Sequence, residues 1–312
     1  MNDLGPPCES QDCQHENDVT GEIRVDHNLS FPVPGTGRGF EHIEETCWRE
    51  SATQIGFKSD TYGDVDAIEI DVNANGSTIA GNYLGTDVSG LQTTFGNRYG
   101  ITVKSDGNTI GGTTVADRNI ISGNTSQTDS YGIGFWQDAD NNLVYGNYIG
   151  VGANATTAIG NEVGIAFYGT NHWNQIGGTS AGQGNIIANS DHDGVSMGSS
   201  SANSNPILGN SIYANADTGI DLGNNGLTFN DITDMDAGAN DLVNFAVLKT
   251  ANSENGDTTI TGSFQGFAGA TYRVEFFSSA FSQQDNNGYG EAKNYLGFTT
   301  ITTDGSGHAS FS

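Results

Sequence analysis

Basic side chains are scarce in this chain. Lys and Arg together number 10 against 37 Asp and Glu, giving a formal net charge of −27. That imbalance argues against nucleic acid and anionic membrane surfaces as partners, because both are held by basic patches. It favours solubility in salt and attraction for divalent cations. No apolar run approaches the roughly 20 residues that cross a bilayer, so membrane insertion is not expected. The first residues have neither the basic head nor the apolar core of a signal peptide. Cysteine is limited to Cys8, Cys13 and Cys47, all ahead of the repeats described below. An odd number permits one disulfide and a spare thiol, which suits an exported chain. Cys8, Cys13 and His15 have poor zinc-ligand spacing and no evident fourth ligand, so incidental cysteines are the reading adopted.

Glycine is abundant instead, at 45 of 312 residues, about twice its usual share. Much of it sits in a repeat whose clearest copy is Tyr131 to Gly150. A Gly-apolar beat begins each copy, as in Gly100-Ile101-Thr102-Val103, Gly132-Ile133-Gly134-Phe135, Gly164-Ile165-Ala166-Phe167, Gly194-Val195-Ser196-Met197 and Gly219-Ile220-Asp221-Leu222. Counting Ala67-Ile68-Glu69-Ile70, the successive intervals are 33, 32, 32, 30 and 25 residues. A second beat recurs at Ile79, Ile110, Val144, Ile176 and Ile207. A third recurs at Leu84, Ile121, Ile149, Ile187 and Ile212, each two residues after an Asn (Asn82, Asn119, Asn147, Asn185, Asn210).

Three short strands with polar corners make one coil of a solenoid. Within the first beat, apolar residues two apart put one face inward. Stacking then predicts one interior column of Ile101, Ile133, Ile165, Val195 and Ile220. A second column holds Val103, Phe135, Phe167, Met197 and Leu222. Gly and Asn at the corners supply positive-φ conformations, and the stacked Asn side chains are expected to bond along the ladder.

Asn108-Thr109-Ile110-Gly111-Gly112-Thr113, Asn174-Gln175-Ile176-Gly177-Gly178-Thr179, Gly81-Asn82-Tyr83-Leu84-Gly85-Thr86-Asp87 and Gly146-Asn147-Tyr148-Ile149-Gly150 carry a resemblance. They resemble the right-handed parallel β-helix repeats of large secreted or cell-surface bacterial and archaeal proteins, a fold shared with pectate lyases and phage tailspikes. The resemblance spans roughly residues 66–245 and speaks for fold rather than activity. It implies an extracellular or cell-surface setting, a longer parent polypeptide, and export encoded upstream or lost from a fragment.

The fold expected is therefore all-β: a right-handed parallel β-helix followed by a small antiparallel β-sandwich-like domain. Residues 1–60 are read as an opening and cap segment, with an opening strand over 29–37. Residues 61–245 form the helix, and its repeat breaks over 223–245. The long corners 86–98 and 151–162 should project from one side. Residues 246–312, where apolar and polar positions alternate between turn signals, form the C-terminal domain. In the resembling proteins this domain has further strands and a segment like Gly288-Tyr289-Gly290-Glu291, so truncation is expected here.

The outward positions of the first beat are Glu69, Thr102, Gly134, Ala166, Ser196 and Asp221. They are mostly small and lack the clustered acids and bases that a polysaccharide lyase or hydrolase needs. Just beyond them, Lys104, Trp136 and Tyr168 form a column. Its two rings, one coil and about 5 Å apart, are a surface on which a sugar can stack. Asp231, Asp234, Asp236 and Asp241 are the densest carboxylate cluster and suit a hard cation such as Ca2+, although their order departs from an EF-hand loop. His172 and His192, each alone in a corner, are not read as ligands. The sequence thus points to a non-catalytic module for adhesion, glycan binding or spacing, with a polysaccharide or cell-surface glycan as partner. The alternative is a polysaccharide lyase or hydrolase of pectate-lyase-like fold.

Overall fold

The computed structural model describes residues 66–312 except 94–95, 126–127, 233, 281–288 and 290, together with the short strands Ile23–Arg24 and Gln54–Ile55. The cap expected over 1–60, the strand at 29–37, Cys8, Cys13, His15 and Cys47 otherwise lie outside the described residues.

The repeats form a parallel β-solenoid. Each first beat adds a strand to a seven-stranded sheet. Its strands are Asp66–Ile70, Tyr99–Val103, Tyr131–Phe135, Val163–Phe167, Val195–Met197 and Ile220–Leu222, with Ile23–Arg24 added antiparallel at one edge. The second beats form a five-stranded sheet from Thr78–Ile79 to Ile207–Leu208. The third beats form a six-stranded sheet from Gln54–Ile55 to Ser211–Tyr213.

Register follows the expected columns. Ile68, Ile101, Ile133, Ile165, Val195 and Ile220 pair in succession, and Val103, Phe135, Phe167, Met197 and Leu222 run beside them. Phe135 and Phe167 are fully buried and stack at 4.7 Å. Removing such side chains from water contributes about 1.5–3 kcal/mol each. The column ends at Ile220, which is 42% exposed because no further coil covers it.

Three ladders of polar side chains fasten the corners. Ahead of the second strands, the amides of Ser77, Asn108, Asn142 and Asn174 donate in turn to the Oδ1 of Asn108, Asn142, Asn174 and Asn205 at 2.8–2.9 Å. Ahead of the third strands, Asn82, Asn119, Asn147, Asn185 and Asn210 repeat the pattern. A third ladder links Asn97 to Asn124, Asn124 to Asn161, and Ser190 to Asn215. Each rung satisfies buried backbone donors that the corner would otherwise orphan. Gly111, at φ 86°, shows why glycine follows the Ile: a Cβ there would lie 2.1 Å from Tyr145 O and 2.4 Å from Asn147 Oδ1.

The long corners 86–98 and 151–162 meet, Ala153 N donating to Gly90 O at 2.9 Å. Arg118 is structural: its guanidinium sits 4.0 Å over the Tyr148 ring and Nε donates to Gly146 O.

The segment after Leu222 closes the stack. Ala239 enters the core, and Asn240 Oδ1 accepts from Asn205 N at 2.9 Å, ending the first ladder. Beyond it, Val247–Glu254, Asp257–Gln265 and His308–Phe311 form one antiparallel sheet, and Thr271–Ser278 pairs with Asn294–Thr302 in another. They share the core residues Phe264, Val274, Ile301 and Phe311. This domain caps the third ladder and also bonds the turn just before Asn210, the last rung of the second. Glu291 Oε1 accepts from Asn215 N and Nδ2 at 2.9 and 3.1 Å, as Asn161 Oδ1 does from Asn124, and Glu275 Oε2 accepts from Gly209 N at 2.8 Å.

Candidate functional site

The outer face of the seven-stranded sheet gathers the aromatic and acidic side chains. Tyr131 begins its strand, yet its ring lies across the outer side. A Cβ on Gly134 would come within 2.3 Å of that ring, so the smallness of Gly134 makes room for it. Tyr131 stacks on Tyr99 at 4.2 Å and 13° and approaches Tyr168 at 5.8 Å. Five of the six outward positions, Thr102, Gly134, Ala166, Ser196 and Asp221, are buried.

Trp136 and Tyr168 stand in the expected column with centroids 4.6 Å apart and planes at 26°. They stack face to face, so a sugar cannot lie flat across both and must add at the end of the pair. Register places Gly198 beside Tyr168 on the next coil. A Cβ on Gly198 would fit in ordinary contact with the Asn224 side chain at 3.5 Å and Phe167 O at 3.8 Å. Tyr168 is 39% exposed. Asn224, hydrogen-bonded through Oδ1 to Ser196 Oγ at 2.9 Å, borders Gly198. Burial, with Asp129 and Tyr99 nearby, pushes the Tyr168 phenol up to about 12, so it stays a neutral donor.

Lys104 occupies the same column one coil earlier, where its ammonium is held by Glu69. Beside that pair lies Asp66, whose carboxyl is pushed up to about 7 by burial first and by Glu69 second. One hydrogen-bonded chain joins this acid to the rings. Trp136 Nε1 donates to the Tyr131 hydroxyl at 2.7 Å, and Thr102 Oγ1 donates to Asp66 Oδ1 at 3.0 Å. Thr102 has one proton, already given to Asp66, so across the 3.0 Å contact Tyr131 is the donor to Thr102. Tyr131 and Asp66 were not singled out from the sequence. Their signal is the position two before the first interior residue, which reads Asp66, Tyr99, Tyr131, Val163, Asp193 and Thr218.

Of the four aspartates, Asp231, Asp234 and Asp236 offer carboxylate oxygens within 4.8 Å of one another, while Asp241 is not in that group. Asp241 is exposed, its amide bonded to Asn203 Oδ1 at 2.8 Å. Burial and the neighbouring acids raise Asp234 above the usual carboxylate range. The two histidines are engaged locally, His192 by Asp217 at 2.9 Å and His172 by Asn203 O at 3.2 Å.

No protein-family model and no curated protein sequence matches this chain. The site is therefore read from its own chemistry, because a solenoid hosts many functions. Among the described residues, no helix is long and apolar enough to cross a membrane.

Proposed function

We propose that the chain is a non-catalytic, extracellular or cell-surface module that holds a glycan on the outer face of its first sheet. The reading rests on the exposed part of Tyr168, whose neighbour on the next coil is the side-chain-free Gly198. An aromatic ring takes the apolar side of a pyranose ring, and the neighbouring Asn224 amide offers a polar group for its hydroxyls. Proteins of this repeat type resemble secreted surface proteins, which agrees with a rigid rod presenting such a surface.

Retention on immobilised polysaccharides tests this. Tyr168→Ala should lower affinity about tenfold or more, in line with loss of a stacked ring. Gly198→Leu, whose Cβ would sit in ordinary contact with its surroundings, should abolish retention, with circular dichroism checking that the fold is kept. Binding of a polysaccharide unchanged in both variants would refute the site.

A second reading has one observation in its favour: Asp66 and Glu69 on one coil, with Lys104 on the next. An acid of raised pKa beside a second carboxylate and a lysine is the kind of cluster a lyase or hydrolase of pectate-lyase-like fold uses. New reducing ends or unsaturated products, lost in Asp66→Asn, would establish it over the first.

A further inference from the structure

We propose that Asp231, Asp234 and Asp236 bind one calcium ion, and that this ion fastens the segment closing the solenoid to the first C-terminal sheet. The acidic cluster alone would be an ordinary solvated turn. Asp234, however, is 1% exposed, and its two oxygens are used unequally. Oδ1 accepts from Asn244 N at 2.8 Å, whereas Oδ2 is buried with no hydrogen-bond partner. Asp236 Oδ1 is likewise buried and unpartnered. Among the described residues, no Lys, Arg or His forms an ion pair with these three acids.

Buried carboxylate oxygens without donors are costly, and a hard divalent cation is the partner that relieves several at once. Three carboxylate oxygens within 4.8 Å of one another can share one ion. Calcium is the cation argued for, because it takes six to eight oxygens in flexible geometry from carboxylates, backbone carbonyls and water, whereas Mg2+ demands near-ideal octahedral geometry and keeps several of its waters.

The position gives the ion its role. Asn244 Nδ2 donates to Asp231 O and to Gln265 O, each at 3.1 Å, and Asp231 N donates to Asn244 Oδ1 at 2.9 Å. Fixing Asp231 and Asp234 therefore fixes Asn244, and through it the strand Asp257–Gln265. The same segment carries Asn240, the last rung of the first ladder. The site lies apart from Tyr168 and does not depend on the glycan reading.

Calorimetric titration of the 312-residue chain in 150 mM NaCl should show one Ca2+ bound, with a dissociation constant of roughly 10−4 M and tighter than for Mg2+. Hydrogen exchange over 231–245 should slow at least tenfold at saturating Ca2+. Asp236→Asn, at a half-buried position, and Asp234→Asn should each abolish both effects. A wild-type chain that shows no stoichiometric uptake overturns the proposal. So does uptake that survives in the double variant, or uptake that leaves exchange over 231–245 unchanged.

Discussion

Replacing Asn147 by Ala removes one rung from the middle of a ladder. Asn147 Oδ1 accepts from Asn119 N at 3.2 Å and from Asn119 Nδ2 at 2.9 Å, and Asn147 Nδ2 donates to Ile110 O at 2.9 Å and Asn185 Oδ1 at 3.1 Å. All four residues are fully or almost fully buried. The truncation leaves Asn119 N and one Asn119 Nδ2 proton without partners, while Ile110 O stays in the parallel pairing of Thr109–Gly111 with Leu143–Tyr145 and Asn185 Oδ1 keeps the Asn147 amide. At about 1–3 kcal/mol for each stranded buried donor, the cost of the two is about 2–6 kcal/mol. That is a large part of the 5–15 kcal/mol typical of a folded domain. Urea denaturation, followed by circular dichroism and tyrosine fluorescence, measures it against the exposed control Asn252→Ala, expected within about 0.5 kcal/mol of wild type. Asn147→Asp adds a sign test. Aspartate keeps the acceptor toward Asn119 but, ionised, points a buried negative charge at Ile110 O. Burial raises its folded pKa above the unfolded value of about 3.9. Its stability is therefore fullest below that value and falls as pH rises through the folded pKa. An Asn147→Ala cost under about 1 kcal/mol, or an Asn147→Asp deficit independent of pH, would refute the ladder argument.

Glu291→Ala strands the amides of Asn215 and Ala214. It should destabilise the chain by about 2–4 kcal/mol in thermal unfolding. Glu291→Gln keeps a single acceptor oxygen and should fall between Ala and wild type. The raised pKa of Asp66 means that its contribution is fullest below about pH 4 and is lost as pH rises to about 7. Asp66→Asn still accepts from Thr102 and escapes that loss. It should gain on wild type by on the order of 2 kcal/mol between pH 4 and pH 8 in paired melts, less than the full displacement implies because Lys104 and solvent screen the pair.

The ladders and core columns were legible because each repeats a residue type at a fixed interval. Asn119, Asn147 and Asn185 stand two before an Ile every time, and a parallel stack must align them. Tyr131 was not legible for a local reason. Strand alternation assigns it to the side of Ile133 and Phe135, yet the structure turns it outward across Gly134. The face-to-face stacking of Trp136 and Tyr168 also escaped, since spacing alone does not state which way a ring is turned. Glu291 lies 76 residues from the asparagine it completes. No periodicity reaches it, because it takes the place of an asparagine from outside the repeat.

A stack of parallel strands is a template whose last rung invites another of its kind. In this chain the slot beyond Ile212 is taken by Ala292, which exchanges hydrogen bonds with it at 2.9 and 2.8 Å in the antiparallel sense. A neighbour running backwards offers a second molecule neither the direction nor the register of another coil. The Ala292 bridge thus blocks the end of this one sheet to a further parallel coil.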